Sequence, residues 1–188
     1  MGPSGSGKTT LLNALATRPT GAASTSGTTL LNGSPVPQTT LRALSRFVEQ
    51  DDALTGALTV RETMDFASRL SPSRTYHSGR GERIEELIEA FGLREQADAL
   101  VGTPLRKGIS GGQKRRLGVA SQLVTGPRVL FLDEPTSGLD SVAGWEVVRF
   151  LRGVAKREGV SCFFFFSFAA CLLSFCVGWG WADEPRGS

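Results

Sequence analysis

The sequence predicts an α/β fold in which a helical segment is inserted into a parallel-sheet core. Three observations carry that reading. Val129-Leu130-Phe131-Leu132 is an unbroken apolar run after a Gly126-Pro127 turn, as expected of a central strand covered on both faces. A glycine-rich loop at the N-terminus runs directly into an apolar helical stretch. Helical patterns fill the middle of the chain, whereas helix and strand alternate towards its ends.

The first helix is expected near Thr9 to Ala16. The Thr/Ser/Gly stretch Thr17 to Ser34 follows, with turn signals at Asn32-Gly33 and at Pro35 and Pro37. Leu41 to Gln50 reads as a short helix or turn running into a strand with Phe47 and Val48 buried. Thr59-Val60-Arg61-Glu62 opens a helix with a capping box, the Thr59 hydroxyl taking the third amide and Glu62 reaching back. Ser71 to Gly81 is a loop. Arg83 to Phe91 is an amphipathic helix with Ile84, Leu87, Ile88 and Phe91 on one face. A last helix is expected near Val142 to Arg157.

The totals exclude more than they identify. A chain of 188 residues with 21 Lys+Arg, 18 Asp+Glu and a net charge of +3 is too weakly basic to argue for nucleic acid. Cys162, Cys171 and Cys176 all lie near the C-terminus, so the body has no disulfide framework. The polar, glycine-rich start is no signal peptide.

The chemistry begins at Gly2-Pro3-Ser4-Gly5-Ser6-Gly7-Lys8-Thr9, which fits G-x-x-x-x-G-K-[ST] at every fixed position. Glycines let successive backbone N–H groups curl into a nest for phosphate oxygens. Lys8 is expected to reach the β- and γ-phosphates of a nucleotide and the Thr9 hydroxyl to ligate Mg²⁺. The following helix points its positive end at the phosphates. A plain Gly/Ser linker would not supply Lys-Thr at this spacing.

A second stretch, Val129 to Pro135, ends a buried strand in two acids. That places Asp133 and Glu134 at the carboxyl edge of the sheet, where α/β ligands bind. Asp133 is assigned to Mg²⁺, and Glu134 to orienting or deprotonating the attacking water. In the third, Ile109-Ser110-Gly111-Gly112-Gln113-Lys114-Arg115-Arg116, Ser110 and Gln113 form another capping box. Capping alone does not need Gly111 and Gly112. Two glycines there strip side chains from a helix N-terminus, so that a phosphate can approach the backbone.

Together these motifs resemble the nucleotide-binding domain of an ABC ATPase, with Ile109 at the first place of that family's LSGGQ signature. Ser137-Gly138-Leu139-Asp140 is similar to its D-loop, and Gln50 to its Q-loop glutamine. The order holds from Gly2 to about Glu158. Leu58 to Thr63, Ile109 to Arg116 and Asp133 to Ser141 look like the G subfamily, the white and pleiotropic-drug-resistance group. The resemblance implies a P-loop NTPase (RecA-like) core with a parallel sheet, spanning 1–50 and 126–158. The ABC signature subdomain, helical, is inserted at about 51–125. It implies ATP and Mg²⁺ as cofactors. Gly2, Pro3, Ser4, Gly5, Ser6, Gly7, Lys8, Thr9, Thr10 and Gln50 would hold nucleotide, and Thr9, Gln50 and Asp133 the metal. Glu134 would be catalytic. Ser110, Gly111, Gly112 and Gln113 would cover the γ-phosphate held by a second ABC ATPase domain in a head-to-tail dimer. Asp140 would communicate across that interface. Gln50 would link to transmembrane domains, and the chain would act at the cytoplasmic face of a membrane. The alternatives are a soluble, non-transporter ABC ATPase and a catalytically dead fragment that retains only the motifs.

The sequence departs from the family at both ends. Only Met1 precedes the phosphate loop, so the first strand and the N-terminal antiparallel strands with their adenine-stacking aromatic are expected to be missing. After the D-loop helix the family has a strand ending in a histidine. Here the stretch reads Gly159 to Phe168 with four consecutive phenylalanines, and the only histidine is His77, in the polar Ser71–Gly81 loop. Val160 to Ala182 holds 23 residues without a charge, long enough to span a membrane. Val-Ser can be encoded by GTGAGT, an intron donor sequence. Residues 159–188 are therefore read as an aberrant tail from intron read-through or off-frame translation, with a membrane helix or an unusual core strand as alternatives. Deleting Val160 to Ser188 is then expected to improve solubility.

Overall fold

The computed structural model describes residues 6–18, 27–50, 53–70 and 79–165. Helix α1 (Lys8–Leu15) is followed by the short strands β1 (Leu30–Leu31) and β2 (Ser34–Pro35). These two pair antiparallel around Asn32 (φ 52°) and Gly33 (φ 80°). Two consecutive positive φ values suit the right-handed twist of a two-residue hairpin, and Asn-Gly is the pair that adopts them at least cost. Helix α2 (Gln38–Leu44) runs without a break into β3 (Ser45–Val48), the helix-to-strand passage expected over Leu41 to Gln50.

Three helices come next: α3 (Val60–Leu70), α4 (Arg80–Ala90) and α5 (Gly111–Leu123). The capping box of α3 is present, with the Glu62 amide donating to Thr59 Oγ1 at 3.2 Å and the Thr59 amide to Glu62 Oε2 at 2.8 Å. In α4, Ile84, Leu87 and Ile88 are buried, as their spacing predicts. The chain then enters β4 (Val129–Asp133), α6 (Ser141–Glu158) and β5 (Ser161–Phe165).

The sheet order is β3-β4-β5, all parallel. All five residues of β4 are buried, which explains its unbroken apolar sequence. Its alternate side chains serve two cores. Val129 and Phe131 pack with Leu12 of α1 and with Ala16, which caps its C-terminus. Leu130 and Leu132 join a larger cluster with Val48, Leu117, Val147, Leu151 and Cys162. That cluster continues without interruption through Met64 of α3, Leu87 of α4 and Phe91, which caps α4. The helical insertion is thus distinct in topology but shares its apolar core with the sheet.

Residues 161–165 form the third strand of the sheet. Val160 and Cys162 are buried, and the Phe163 ring stacks on Phe131 with centroids 5.7 Å apart. The boundary expected at 158/159 therefore cuts across the sheet. These five residues adopt a strand of the sheet, which says nothing of how residues 159–188 arose. An aromatic run has high strand propensity, and β4 offers a row of unpaired backbone groups along that side. Phe165 pairs in register with Asp133, at the strand end where the resemblance implies a histidine. Among the described residues no helix is long and apolar enough to cross a membrane. Residues 166–188 and His77 lie outside the described residues.

Candidate nucleotide-binding and hydrolysis site

The carboxyl ends of β3 and β4 and the N-terminus of α1 meet at one edge of the sheet. Gly2, Pro3, Ser4 and Gly5 lie outside the described residues; Ser6 and Gly7 lead into α1. Gly7 has φ 81°, a left-handed conformation open to glycine, and its carbonyl accepts the Leu11 amide at 2.9 Å to start the helix. Thr9 and Thr10 are exposed in the first turn.

Lys8 Nζ lies 3.6 Å from Glu134 Oε1, with the two side chains only 10% and 18% exposed. Glu134 follows the last residue of β4 and has φ 44°, a positive value that a non-glycine residue holds only at a cost of about 1–3 kcal/mol. The turn that fixes it is closed by the Ser137 amide donating to the Glu134 carbonyl at 2.9 Å. Gln50, just beyond β3, donates through Nε2 to Glu134 Oε2 at 3.3 Å and to Ser137 Oγ at 3.2 Å. The carboxylate is therefore held at one oxygen by a cation and at the other by an amide.

Asp133, the last residue of β4, is 4% exposed, and its Oδ1 is buried with no hydrogen-bond partner. An orphaned buried carboxylate oxygen is costly unless a cation or donor completes it. Thr9, Asn13, Gln50 and Asp133 line a single cleft of about 430 Å³. This donor set fits Mg²⁺: one carboxylate, one hydroxyl and two amides, with room for phosphate oxygens and water to supply the rest. Among the described residues no group of three His, Cys, Asp or Glu side chains could hold a metal unaided.

Ser110, Gly111, Gly112 and Gln113 form a separate surface. The capping box is complete: the Gln113 amide donates to Ser110 Oγ at 3.2 Å, and the Ser110 amide to Gln113 Oε1 at 2.7 Å. A Cβ on Gly112 would lie 3.1 Å from Ala143 Cβ, so this glycine also lets α5 close against α6. Asp140 caps α6, its Oδ1 accepting the Val142 and Ala143 amides at 3.0 Å each. None of Ser110 to Gln113 lines the cleft beside Thr9 and Asp133.

Arg115 was not singled out by the sequence reading. It sits in a Lys-Arg-Arg run that reads as solvated charge, yet it is 2% exposed. Its guanidinium donates to the carbonyls of Glu49, Gln50, Asp133, Glu134 and Pro135. The available signal was spacing: Arg115 stands one helical turn before the buried Val119.

Fold and site define a P-loop nucleotide-binding domain. The sequence profile of the ABC transporter family, described as "ABC transporter", matches residues 1–137. The chain belongs to the ABC transporter family. It is 45% identical over 157 residues to ABC transporter G family member 11 of Arabidopsis thaliana, covering 83% of this chain and 22% of that protein. It is 42% identical over 160 residues to the broad substrate specificity ATP-binding cassette transporter ABCG2 of Mus musculus, covering 84% of this chain and 24% of that protein. With ABC transporter G family member 18 of Arabidopsis thaliana the identity is 44% over 162 residues, 85% of this chain and 23% of that protein. The chain thus spans about a quarter of the length of the curated relatives it matches. Its ATP-binding domain is homologous to those of G-type transporters, which supports the transporter reading over the soluble ATPase.

Proposed function

We propose that the chain binds and hydrolyses ATP as part of a G-type ABC membrane transporter, at the cytoplasmic face of the membrane. The observation that carries this is Glu134, set beside Lys8 and Gln50 at the edge of the sheet. Gly2 to Thr10 enclose the phosphates, and Lys8 leaves the Glu134 carboxylate to pair with phosphate oxygens. Thr9, Gln50 and Asp133 would hold Mg²⁺, which would supply charge neutralisation for the phosphate groups. Glu134 then accepts a proton from water as the water oxygen attacks the γ-phosphorus. The bond to the bridging oxygen breaks, ADP leaves, and phosphate is released. Gln50 keeps the carboxylate facing the water through its amide.

Ser110, Gly111, Gly112 and Gln113 form the second wall of the site in a head-to-tail dimer, where the Gly111 and Gly112 amides at the helix N-terminus face the γ-phosphate of the partner domain, while the Ser110 and Gln113 amides stay in the capping box. Asp140, which caps the adjacent helix, lies on the same surface. Gln50 and the loop around it couple the site to transmembrane domains.

The test is direct titration of the chain with fluorescent trinitrophenyl-ATP. The parent should bind it, and Lys8→Ala should bind it at least a hundredfold more weakly. Equal affinity of parent and variant would show that Lys8 does not hold phosphate and would overturn the assignment.

A further inference from the structure

The carbonyl groups at the ends of β3 and β4 raise a question of satisfaction. Beyond Val48 and Asp133 the strands no longer pair, so the carbonyls of Glu49, Gln50 and Pro135 need donors from elsewhere, and that of Glu134 has only the Ser137 amide of its own turn. One side chain meets them. Arg115 Nη1 donates to Glu49 O at 2.6 Å and Gln50 O at 3.1 Å. Its Nη2 donates to Asp133 O at 3.1 Å and Glu134 O at 3.3 Å, and its Nε to Pro135 O at 3.0 Å. A guanidinium has five N–H donors in a planar fork, so it can span two chain segments at once, as an ammonium cannot. Burying a cation is costly unless its donors are used, and here they converge on two loops.

The two loops carry Gln50 on one side and Asp133 and Glu134 on the other. We infer that Arg115 is a positioning residue that fixes the Gln50 loop against the Asp133–Pro135 turn, so that the metal-holding and water-orienting groups share one site. This rests on the nucleotide-site reading above. Arg115 also belongs to α5, whose first turn is Ser110 to Gln113. The residue that sets the chain's own hydrolysis site thus rides on the helix that would face the partner's nucleotide, and a displacement of that helix end is passed to Gln50 and Glu134 through five hydrogen bonds.

The experiment compares trinitrophenyl-ATP affinity in MgCl₂ and in EDTA for the full chain, Arg115→Met and Arg115→Lys, with circular dichroism melts of each. Arg69→Met, an exposed arginine paired with Asp65, is the control for loss of charge. In EDTA, binding rests on the phosphate loop and Lys8, so both Arg115 variants should stay within about twofold of the parent. The gain in affinity conferred by Mg²⁺ should fall at least tenfold in Arg115→Met. Arg115→Lys, able to reach only one loop, should fall between parent and Met. An unchanged Mg²⁺ gain overturns the role. So does an equal loss in both buffers, or loss of the folded state in both variants, since Arg115 would then be a structural staple only. A parent chain that binds no nucleotide overturns the site reading and this role with it, and that outcome appears before any Arg115 variant is compared.

Discussion

A chain ended at Gly159 should lose most of its resistance to urea, whereas one ended at Phe165 should keep it. The difference is β5. It pairs with β4 at five positions, and its removal leaves β4 an edge strand with unpaired backbone groups. Val160 and Cys162 are both 4% exposed, and Phe164 is partly buried against the same cluster. Burying a side chain such as valine is worth about 1.5–3 kcal/mol, so these three, with Phe164 only partly buried, together contribute roughly 5 kcal/mol. The stacked Phe131–Phe163 pair adds about 0.5–1.5 kcal/mol and each ladder hydrogen bond about 1 kcal/mol. The loss is on the order of 6 kcal/mol or more, against a typical domain stability of about 5–15 kcal/mol. With a urea slope of about 2 kcal/mol per molar, the midpoint should move by roughly 3 M. The assay is urea titration followed by far-UV circular dichroism on three chains, 1–159, 1–165 and 1–188. The expectation that deleting Val160 to Ser188 improves solubility concerns a separate property, read from the soluble yield of the same three chains. If 1–159 and 1–165 unfold at the same urea concentration, β5 contributes nothing and the packing argument fails.

Three further outcomes are expected. In the proposed head-to-tail dimer, Glu134→Gln should retain ATP binding while turnover falls about 10²–10⁴-fold, since an amide cannot take the proton; phosphate release within tenfold of the parent would remove Glu134 from the role of base. Burial pushes the Cys162 thiol from its ordinary 9.0 up to about 12. The folded state therefore favours the protonated form. The contribution is intact below pH 9, and stability should fall as pH rises from there towards 12. Iodoacetamide at pH 8 followed by peptide mapping should leave Cys162 unmodified until urea is added; rapid native labelling would contradict its burial.

Much of this architecture is readable from local chemistry. Capping boxes involve residues three apart, so Thr59/Glu62 and Ser110/Gln113 are legible without knowledge of the rest of the chain. The phosphate loop and the apolar strand ending in two acids are also contiguous. The roles that escape reading depend on distant partners. Phe163 to Phe168 has the composition of a membrane segment and of a sheet strand alike. Only its register against Leu130 to Asp133 decides for the part up to Phe165. Arg115 resembles its neighbours Lys114 and Arg116 in sequence, but their surroundings separate them. Arg116 lies over the Phe150 ring, 5.2 Å from its centroid, and donates to the Phe91 carbonyl at 3.1 Å, whereas Arg115 is sealed beneath two strand ends.

The sheet order has a consequence for synthesis on the ribosome. The middle strand, β4, has one neighbour from residues 45–48 and the other from 161–165. While the nascent chain is still being made, β3 and β4 can pair, but the second edge of β4 stays open until residue 165 has cleared the exit tunnel. Synthesis at about 5–20 residues per second leaves that edge exposed for seconds, beside an apolar cluster that lacks its Cys162 and Phe164 cover. A chaperone that shields extended apolar segments would find its natural binding window in that interval.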